Sequence, residues 1–292
     1  MSSYIALASC LDMPTGDGDD LPLVQALTDL GHQVSMVPWD RPGVDWAAFD
    51  ATVLRATWNY TLRRADFLAW VGSVPRLYNP APVVLPNTDK AYLAELADAG
   101  LPVVPTRLVP PGTELELPES GEFVLKPSIG AGSRGVGRFD AGRPGAHQQA
   151  REHAEQLHAA GRTVLVQPYL DGVDTAGETA LVFFDGVFSH AARKGPMLQP
   201  DARHQVAGGA LFIEENISPR EPSEAELSVA ERVFKHANAE LAENLLYARI
   251  DLLPGPDGPV VVELELIEPS LFLLHADGAA DRFAAAISAR VG

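Results

Sequence analysis

Between Glu122 and Arg138 the chain reads EFVLKPSIGAGSRGVGR. An apolar run (Phe123, Val124, Leu125) leads to Lys126, and Gly130, Gly132, Gly135 and Gly137 follow two or three residues apart, interleaved with Ser128 and Ser133. Glycines at this density let backbone N–H groups curl round an anion without Cβ clashes. A neighbouring lysine adds a mobile point charge suited to phosphate. The second stretch is YARIDLLPGPDGPVVVELELIEPS, from Tyr247 to Ser270. Glu263 and Glu265 stand at i and i+2, so a strand puts both carboxylates on one face. The Pro254–Gly258 punctuation reads as a hairpin turn, which brings Asp251 opposite them. Three clustered carboxylates repel unless a cation sits among them, and oxygen-only donors suit Mg²⁺.

Competing readings of the loop stay in view. Gly130-x-Gly132-x-x-Gly135 matches a dinucleotide fingerprint, but that motif needs a helix opening at the loop, and here the residues resume an extended pattern. A Walker loop would place its lysine after the last glycine, whereas Lys126 precedes the first. A hairpin with a plain glycine tip is the unspecialised reading, and a solvated acidic face is its counterpart for the carboxylates.

Other residues fit a site by position. Arg55, Trp58 and Tyr60 follow a buried strand, where open α/β sheets bind ligands; a packed Trp beside a surface Arg is the plainer reading. Lys90 sits in the first turn of an expected helix, against the helix dipole, which suggests a phosphate or a simple exposed lysine. Asn87 or Thr88 is expected to cap that helix.

These groups need a scaffold. Tyr4–Ser9, a helix to Leu30, Gln33–Val37 and Ala51–Arg55 alternate as strand, helix, strand, strand, which implies a parallel α/β unit. Asn79, Pro80 and Pro82 read as a break. The glycine hairpin, a helix over 146–160 and a strand at 163–167 form a second group. The expected continuation is a loop at 171–177, a hairpin from Glu178 through Asp185-Gly186 to Lys194, a long loop with Arg203, His204 and Gln205, and a Ser223-capped helix to about Glu243.

The chain has 292 residues, 46% of them hydrophobic, with net charge −17 and pI about 4.8. That balance argues against nucleic acid as a partner. Lys90, Lys126, Lys194 and Lys235 are its only lysines. A single cysteine, Cys10, excludes an internal disulfide framework. With no apolar run of membrane-spanning length, a soluble, cytoplasmic protein is expected.

Taken in order, Lys90, FVLKPSIGAGSRGV, LVQPYL, the Glu178 strand, Arg193-Lys194 and YARIDLL…VVVELELIEPS resemble the ATP-grasp superfamily of carboxylate–amine ligases over about residues 87–275. RATWNY, YNPAPVVLPNTDK and ELELIEPSLFL extend the likeness to its O-ureidoserine cyclo-ligases. The resemblance implies an α/β ATP-grasp fold: an N-terminal Rossmann-like (pre-ATP-grasp) domain at 1–100, a small α+β lid at 101–170 and a C-terminal α+β catalytic unit at 171–292. It implies ATP at Lys90, Lys126, Ser128, Gly130, Gly132, Ser133 and Gly135, with the adenine beside Gln167, Tyr169 and Leu170 and the ribose on Glu178, Asp174 being the alternative to it. It implies Mg²⁺ on Asp251, Glu263 and Glu265, where the superfamily commonly has Asn in place of Glu265. Lys194, Arg203 and Arg249 are the implied catalytic cations, and Arg55, Trp58, Tyr60 and Glu268 the candidate contacts to a small amino-acid-like substrate. The implied activity is carboxylate activation as an acyl phosphate and attack by nitrogen, within one molecule for a cyclo-ligase. An intermolecular dipeptide-type ligase, a nucleotide-binding regulator without turnover, and a nicotinamide oxidoreductase are the alternatives; whether a homo-oligomer forms stays open.

Overall fold

The computed structural model describes residues 2–198 and 216–291. Three sheets follow one another along the chain. The first is parallel, in the order β2-β1-β3-β4, with β1 Tyr4–Ser9, β2 Gln33–Pro38, β3 Ala51–Leu54 and β4 Leu77–Tyr78. Helices α1 (Asp20–Asp29), α2 (Arg64–Ser73), α3 (Ala81–Asn87) and α4 (Tyr92–Asp98) accompany it. The parallel order follows from sequence: β1 is apolar along its length and buried from Ile5 onwards, as a strand covered on both faces must be. Gly31 closes α1 at φ 88°, a left-handed position that glycine adopts without Cβ strain.

The second sheet is antiparallel, β5-β8-β6-β7, from β5 (Arg107–Val109), β6 (Glu122–Pro127), β7 (Gly137–Asp140) and β8 (Val164–Pro168). Helix α5 (Ala146–Ala159) covers one face, burying Ala150, Ala154 and Leu157 against Phe123, Leu125, Phe139 and Val166. That core fixes the two strands between which the glycine loop is slung. After α6 (Gly172–Ala176), the third sheet runs β11-β10-β9-β12-β13. Its strands are β9 (Glu178–Phe184), β10 (Val187–Lys194), β11 (Ile217–Arg220), β12 (Tyr247–Gly255) and β13 (Gly258–Glu265), all antiparallel. Helix α7 (Glu224–Ala237) packs Val229, Ala230 and Val233 onto it and starts with a complete capping box, Ser223 with Glu226. The last helix, α8 (Ala279–Val291), returns to the first sheet, where Phe283 and Ile287 meet Ile5, Leu7, Leu23 and Leu27. By packing, residues 279–291 thus go with the first sheet although they close the chain. No helix among the described residues is long and apolar enough to cross a membrane.

Four local expectations are corrected. Residues 171–177 are not a loop but contain α6, a single turn whose polar sequence has no apolar stripe to betray it. Pro80 and Pro82 do not break the chain: they flank the start of α3, where a missing N–H and fixed φ are tolerated. Helix α7 ends at Ala237, with Asn238 as its C-cap, well short of Glu243. Asn87 and Thr88 do not cap α4; Asp89 accepts the Ala91 amide instead.

Candidate active site

Sheets two and three face each other across a cavity of about 610 Å³. At its roof is the glycine loop. Gly132, Ser133 and Gly135 take φ of 61°, 57° and 72°, the left-handed turn that keeps the backbone close to the space below. Gly130, Gly132 and Ser133 line the cavity; Ser128 and Gly135 do not. Ser128 anchors the loop base, its amide donating to Thr163 O and its carbonyl accepting from the Lys90 amide. The Gly135 carbonyl accepts from His153 Nε2 at 2.8 Å.

The hairpin at the floor pairs as its period implies. Asp251 stands opposite Glu263 and Arg249 opposite Glu265, with a bulge after Asp251. One oxygen from each of Asp251, Glu263 and Glu265 lies within 4.8 Å of the others. Leu264 and Leu266 are buried on the other side, which locks the register. Cations ring the carboxylates. Lys90 and Lys126 reach Glu263 Oε1 at 3.5 and 3.7 Å. Lys194 contacts Glu178 at 2.5 Å and Asp251 at 3.1 Å. Arg249 grips Asp251 with two bonds, 2.9 and 2.8 Å, and Glu265 with one of 2.6 Å.

Burial opposes ionisation of all four carboxylates, and the cations decide the outcome. Against that burial, Arg249 and Lys194 hold Asp251 below its ordinary range, and Lys90 and Lys126 do so for Glu263. Glu265 is raised well above its range by burial, with Asp251 and Glu263 adding repulsion. Glu178 is pushed up to about 8 by burial, Lys194 opposing. Burial likewise lowers Lys126. Four cations face these four carboxylates, yet Glu265 and Glu178 remain above their ordinary range, and crowded donors that are all oxygen fit a hard divalent cation.

At the far edge, Gln167 pairs with Val124 in the sheet and its amide donates to Thr106 Oγ1 at 2.8 Å. Tyr169 and Leu170 line the cavity there. The Tyr169 hydroxyl donates to Asp174 at 2.5 Å, and the Arg138 guanidinium lies 3.5 Å from its ring centroid while pairing with Glu122. Asp174 therefore stands at this hinge, and Glu178 stands with Lys194 at the carboxylate end.

Trp58, Tyr60 and Glu268 line the opposite end of the cavity. Arg55 corrects the expectation of a substrate contact. It is 1% exposed, does not line the cavity, and is committed to Asp20 at 2.9 Å and to Pro269 O at 3.0 Å. Arg203 lies outside the described residues.

Sequence reasoning missed how the segment after β13 is held. Six consecutive carbonyls, 266 to 271, each accept from a different side chain. Asn79 donates to Leu266 at 3.0 Å, Tyr247 to Ile267 at 2.6 Å and Trp58 to Glu268 at 2.7 Å. Arg55 donates to Pro269 at 3.0 Å, Arg249 to Ser270 at 2.9 Å and His190 to Leu271 at 2.8 Å. An irregular buried segment must satisfy its carbonyls somewhere; here side chains from all over the chain do it. Asn87 adds to the set, donating to Leu264 O and accepting from the Leu266 amide. Asp17, Ser270, Phe272 and His275 also line this end of the cavity. Only the adjacency of residues 270–275 to the carboxylate strand could have flagged them.

Comparison with known proteins agrees with this architecture. The family described as the N-terminal domain of D-cycloserine synthetase DcsG matches residues 5–79. The cycloserine biosynthesis protein DcsG of Streptomyces lavendulae is 39% identical over 290 residues, covering 94% of each chain. The crystal structure of D-cycloserine synthetase DcsG superposes with a TM-score of 0.86 at 37% identity, over 99% of this chain and 100% of that one. The ATP complex of D-alanine–D-alanine ligase from Bacillus anthracis gives 0.63 at 14% identity, over 99% and 97%, a likeness of fold. With a relative of that identity along its whole length, the chain belongs to the DcsG family, and its fold is that of the ATP-grasp ligases among its structural neighbours.

Proposed function

We propose that the chain is an ATP- and Mg²⁺-dependent carbon–nitrogen ligase that closes O-ureido-serine to cycloserine, releasing ADP, phosphate, CO₂ and ammonia. One observation carries this reading. A single cavity joins a glycine loop, three lysines and two carboxylates, Glu263 and Glu265, backed by the buried Asp251, to an aromatic end bearing its own carboxylate, Glu268. The names of the relatives at 37 and 39% identity support the product.

In this reading residues 101–170 form the lid and 171–292 the catalytic floor. ATP lies with its adenine beside Gln167, Tyr169 and Leu170. The ribose is assigned to Asp174, which stands beside Tyr169 at the hinge and is 41% exposed, whereas Glu178 stands at the carboxylate end with Lys194. Lys90 and Lys126 take the phosphates and exchange their grip on Glu263 for it. Asp251, Glu263 and Glu265 would hold Mg²⁺, which supplies charge neutralisation for phosphoryl transfer when bound. The substrate carboxylate, held toward Arg249 and Lys194, attacks the γ-phosphorus, and the resulting acyl phosphate is displaced by the ureido nitrogen of the same molecule. Orientation alone can contribute about 7–11 kcal/mol to such an intramolecular step. The carboxylate oxygen leaves in phosphate at ring closure, so hydrolysis of the carbamoyl group to CO₂ and NH₃ consumes one water, which balances the equation.

The test is ADP release with ATP, Mg²⁺ and O-ureido-D-serine or its L isomer, followed by mass analysis. Stoichiometric cycloserine is the expected product. ADP formed only when a separate amine is supplied would replace cyclisation by intermolecular joining. Bound ATP with no carboxylate-stimulated ADP would leave a non-catalytic regulator.

A further inference from the structure

Six carboxylate residues line the cavity, and five of them are engaged. Asp17 accepts from the Ser270 hydroxyl and the Asp19 amide, and Asp19 from the Leu273 amide. Glu178, Glu263 and Glu265 are ion-paired with Lys194, with Lys90 and Lys126, and with Arg249. Among the described residues, the sixth, Glu268, has no ion pair and accepts no hydrogen bond from another residue's side chain. Its backbone is nevertheless firmly held. The carbonyls on both sides of it and its own are clamped by Tyr247, Trp58 and Arg55. A functional group placed on a rigidly supported segment and left free at its tip is the arrangement that proton transfer requires.

We propose that Glu268 is the general base of ring closure, taking the proton from the attacking ureido nitrogen, with Trp58, Arg55 and Tyr247 as the residues that position it. The inference rests on the cyclo-ligase reading above. In that step the N–C bond to the acyl carbon forms as the N–H proton passes to the Glu268 carboxylate. The acyl C–O bond to phosphate breaks, and phosphate departs with the electron pair. The nitrogen is amide-like and poorly nucleophilic while it keeps its proton, so a base is needed at this step and not at phosphoryl transfer. The other cavity carboxylates are each committed to an ion pair or a hydrogen bond that a proton would have to displace. Around Glu268 stand Lys90 before α4, Tyr60 after β3, Tyr247 and Arg249 on β12, and Glu263 on β13. Burial outweighs the two cations and pushes Glu268 up to about 7, the range in which a carboxylate is an effective base near neutrality.

The experiment is single-turnover rapid quench on the full chain, with ADP and cycloserine followed separately in the wild type, Glu268→Gln and Glu268→Asp. The expected result is ADP formation in Glu268→Gln within about threefold of wild type, with cycloserine slowed by about 10²- to 10³-fold. Added hydroxylamine, which needs no base, should trap the accumulated acyl phosphate as a hydroxamate. Glu268→Asp, with its carboxylate set back, should fall between the two, and it decides the matter by the same split if the Gln variant does not fold. Cyclisation at the wild-type rate would overturn the proposal. So would a parallel fall of both products with a raised KM for O-ureido-serine, which would make Glu268 a binding group only. A wild type that releases ADP without cycloserine would remove the cyclo-ligase reading itself, and the proposal with it.

Discussion

The roof and the far wall of the cavity are both irregular backbone, yet they are held in opposite ways. Between Ala131 and Val136 the glycine loop's backbone bonds are few and long: Arg134 N to Ala131 O and Val136 N to Ser133 O, both at 3.4 Å. Lys90 and His153 fasten its two ends, at Gly130 and Gly135. The 266–271 segment has every carbonyl clamped by a side chain at 2.6 to 3.0 Å. A part that must open for ATP and close over it belongs at the low end of local stability. A part that must present one group to one nitrogen belongs at the high end. In the proposed function, the contrast separates nucleotide handling from substrate chemistry within one cavity.

The largest effect should come from removing the clamp's charged anchor. Arg55→Met leaves Asp20, 1% exposed, without its partner. Breaking a buried pair from one side costs about 3–5 kcal/mol, read as a lowered midpoint in urea unfolding. Arg55→Met combined with Asp20→Leu should recover most of that loss while the Pro269 carbonyl stays unclamped. No recovery would mean that Arg55 matters for its hydrogen bond rather than for its charge.

The clamp's outermost donor gives a pH dependence. Burial lowers His190 to about 4, and its neutral ring donates through Nε2 to Leu271 O. The unfolded chain binds a proton near pH 6.5 that the folded ring refuses. This group's contribution is therefore complete above pH 6.5 and is lost as pH falls toward 4, by up to about 3 kcal/mol. Urea midpoints of wild type and His190→Gln across that window should converge as the pH falls. A constant difference would show that the ring protonates without leaving its place.

The two regions also differ in how far sequence reveals them. The glycine loop and the β12–β13 hairpin are local. Period two and Pro-Gly punctuation are enough to place Asp251, Glu263 and Glu265, whose strand partners lie a turn away, and glycine spacing places Lys126 at the foot of its own loop. The clamp is not local: its bonds span from 20 residues, Tyr247 to Ile267, up to 214, Arg55 to Pro269. Nothing near Arg55 says that its partner is a carbonyl at the other end of the chain, so an arginine after a strand reads as an anion site. Asn87 misleads in the same way. It sits where a helix cap would, and tertiary packing spends its amide on β13.

A smaller effect is expected at the roof. Gly135 has φ 72°, and an added Cβ would meet Leu157 Cδ2 at 3.1 Å, so Gly135→Ala strains the loop by about 1–2 kcal/mol. If the loop serves ATP alone, KM for ATP should rise about tenfold while the partition of acyl phosphate between ring closure and hydrolysis stays as in wild type. A change in that partition would join the roof to the substrate wall and erase the contrast.

The finest test touches one bond of the clamp. Trp58→Phe keeps an aromatic wall and removes the indole N–H that donates to Glu268 O at 2.7 Å. One neutral hydrogen bond is worth about 1 kcal/mol, so unfolding should change little. Catalysis is more sensitive, because slack of a fraction of an ångström at Glu268 is felt by the nitrogen it serves. Ring closure should slow by about fivefold, matching the same 1 kcal/mol, with ADP formation in single turnover unchanged. If both steps slow together, Trp58 acts through the substrate it touches. If neither does, the remaining five donors already hold the segment, and the clamp is redundant at its centre.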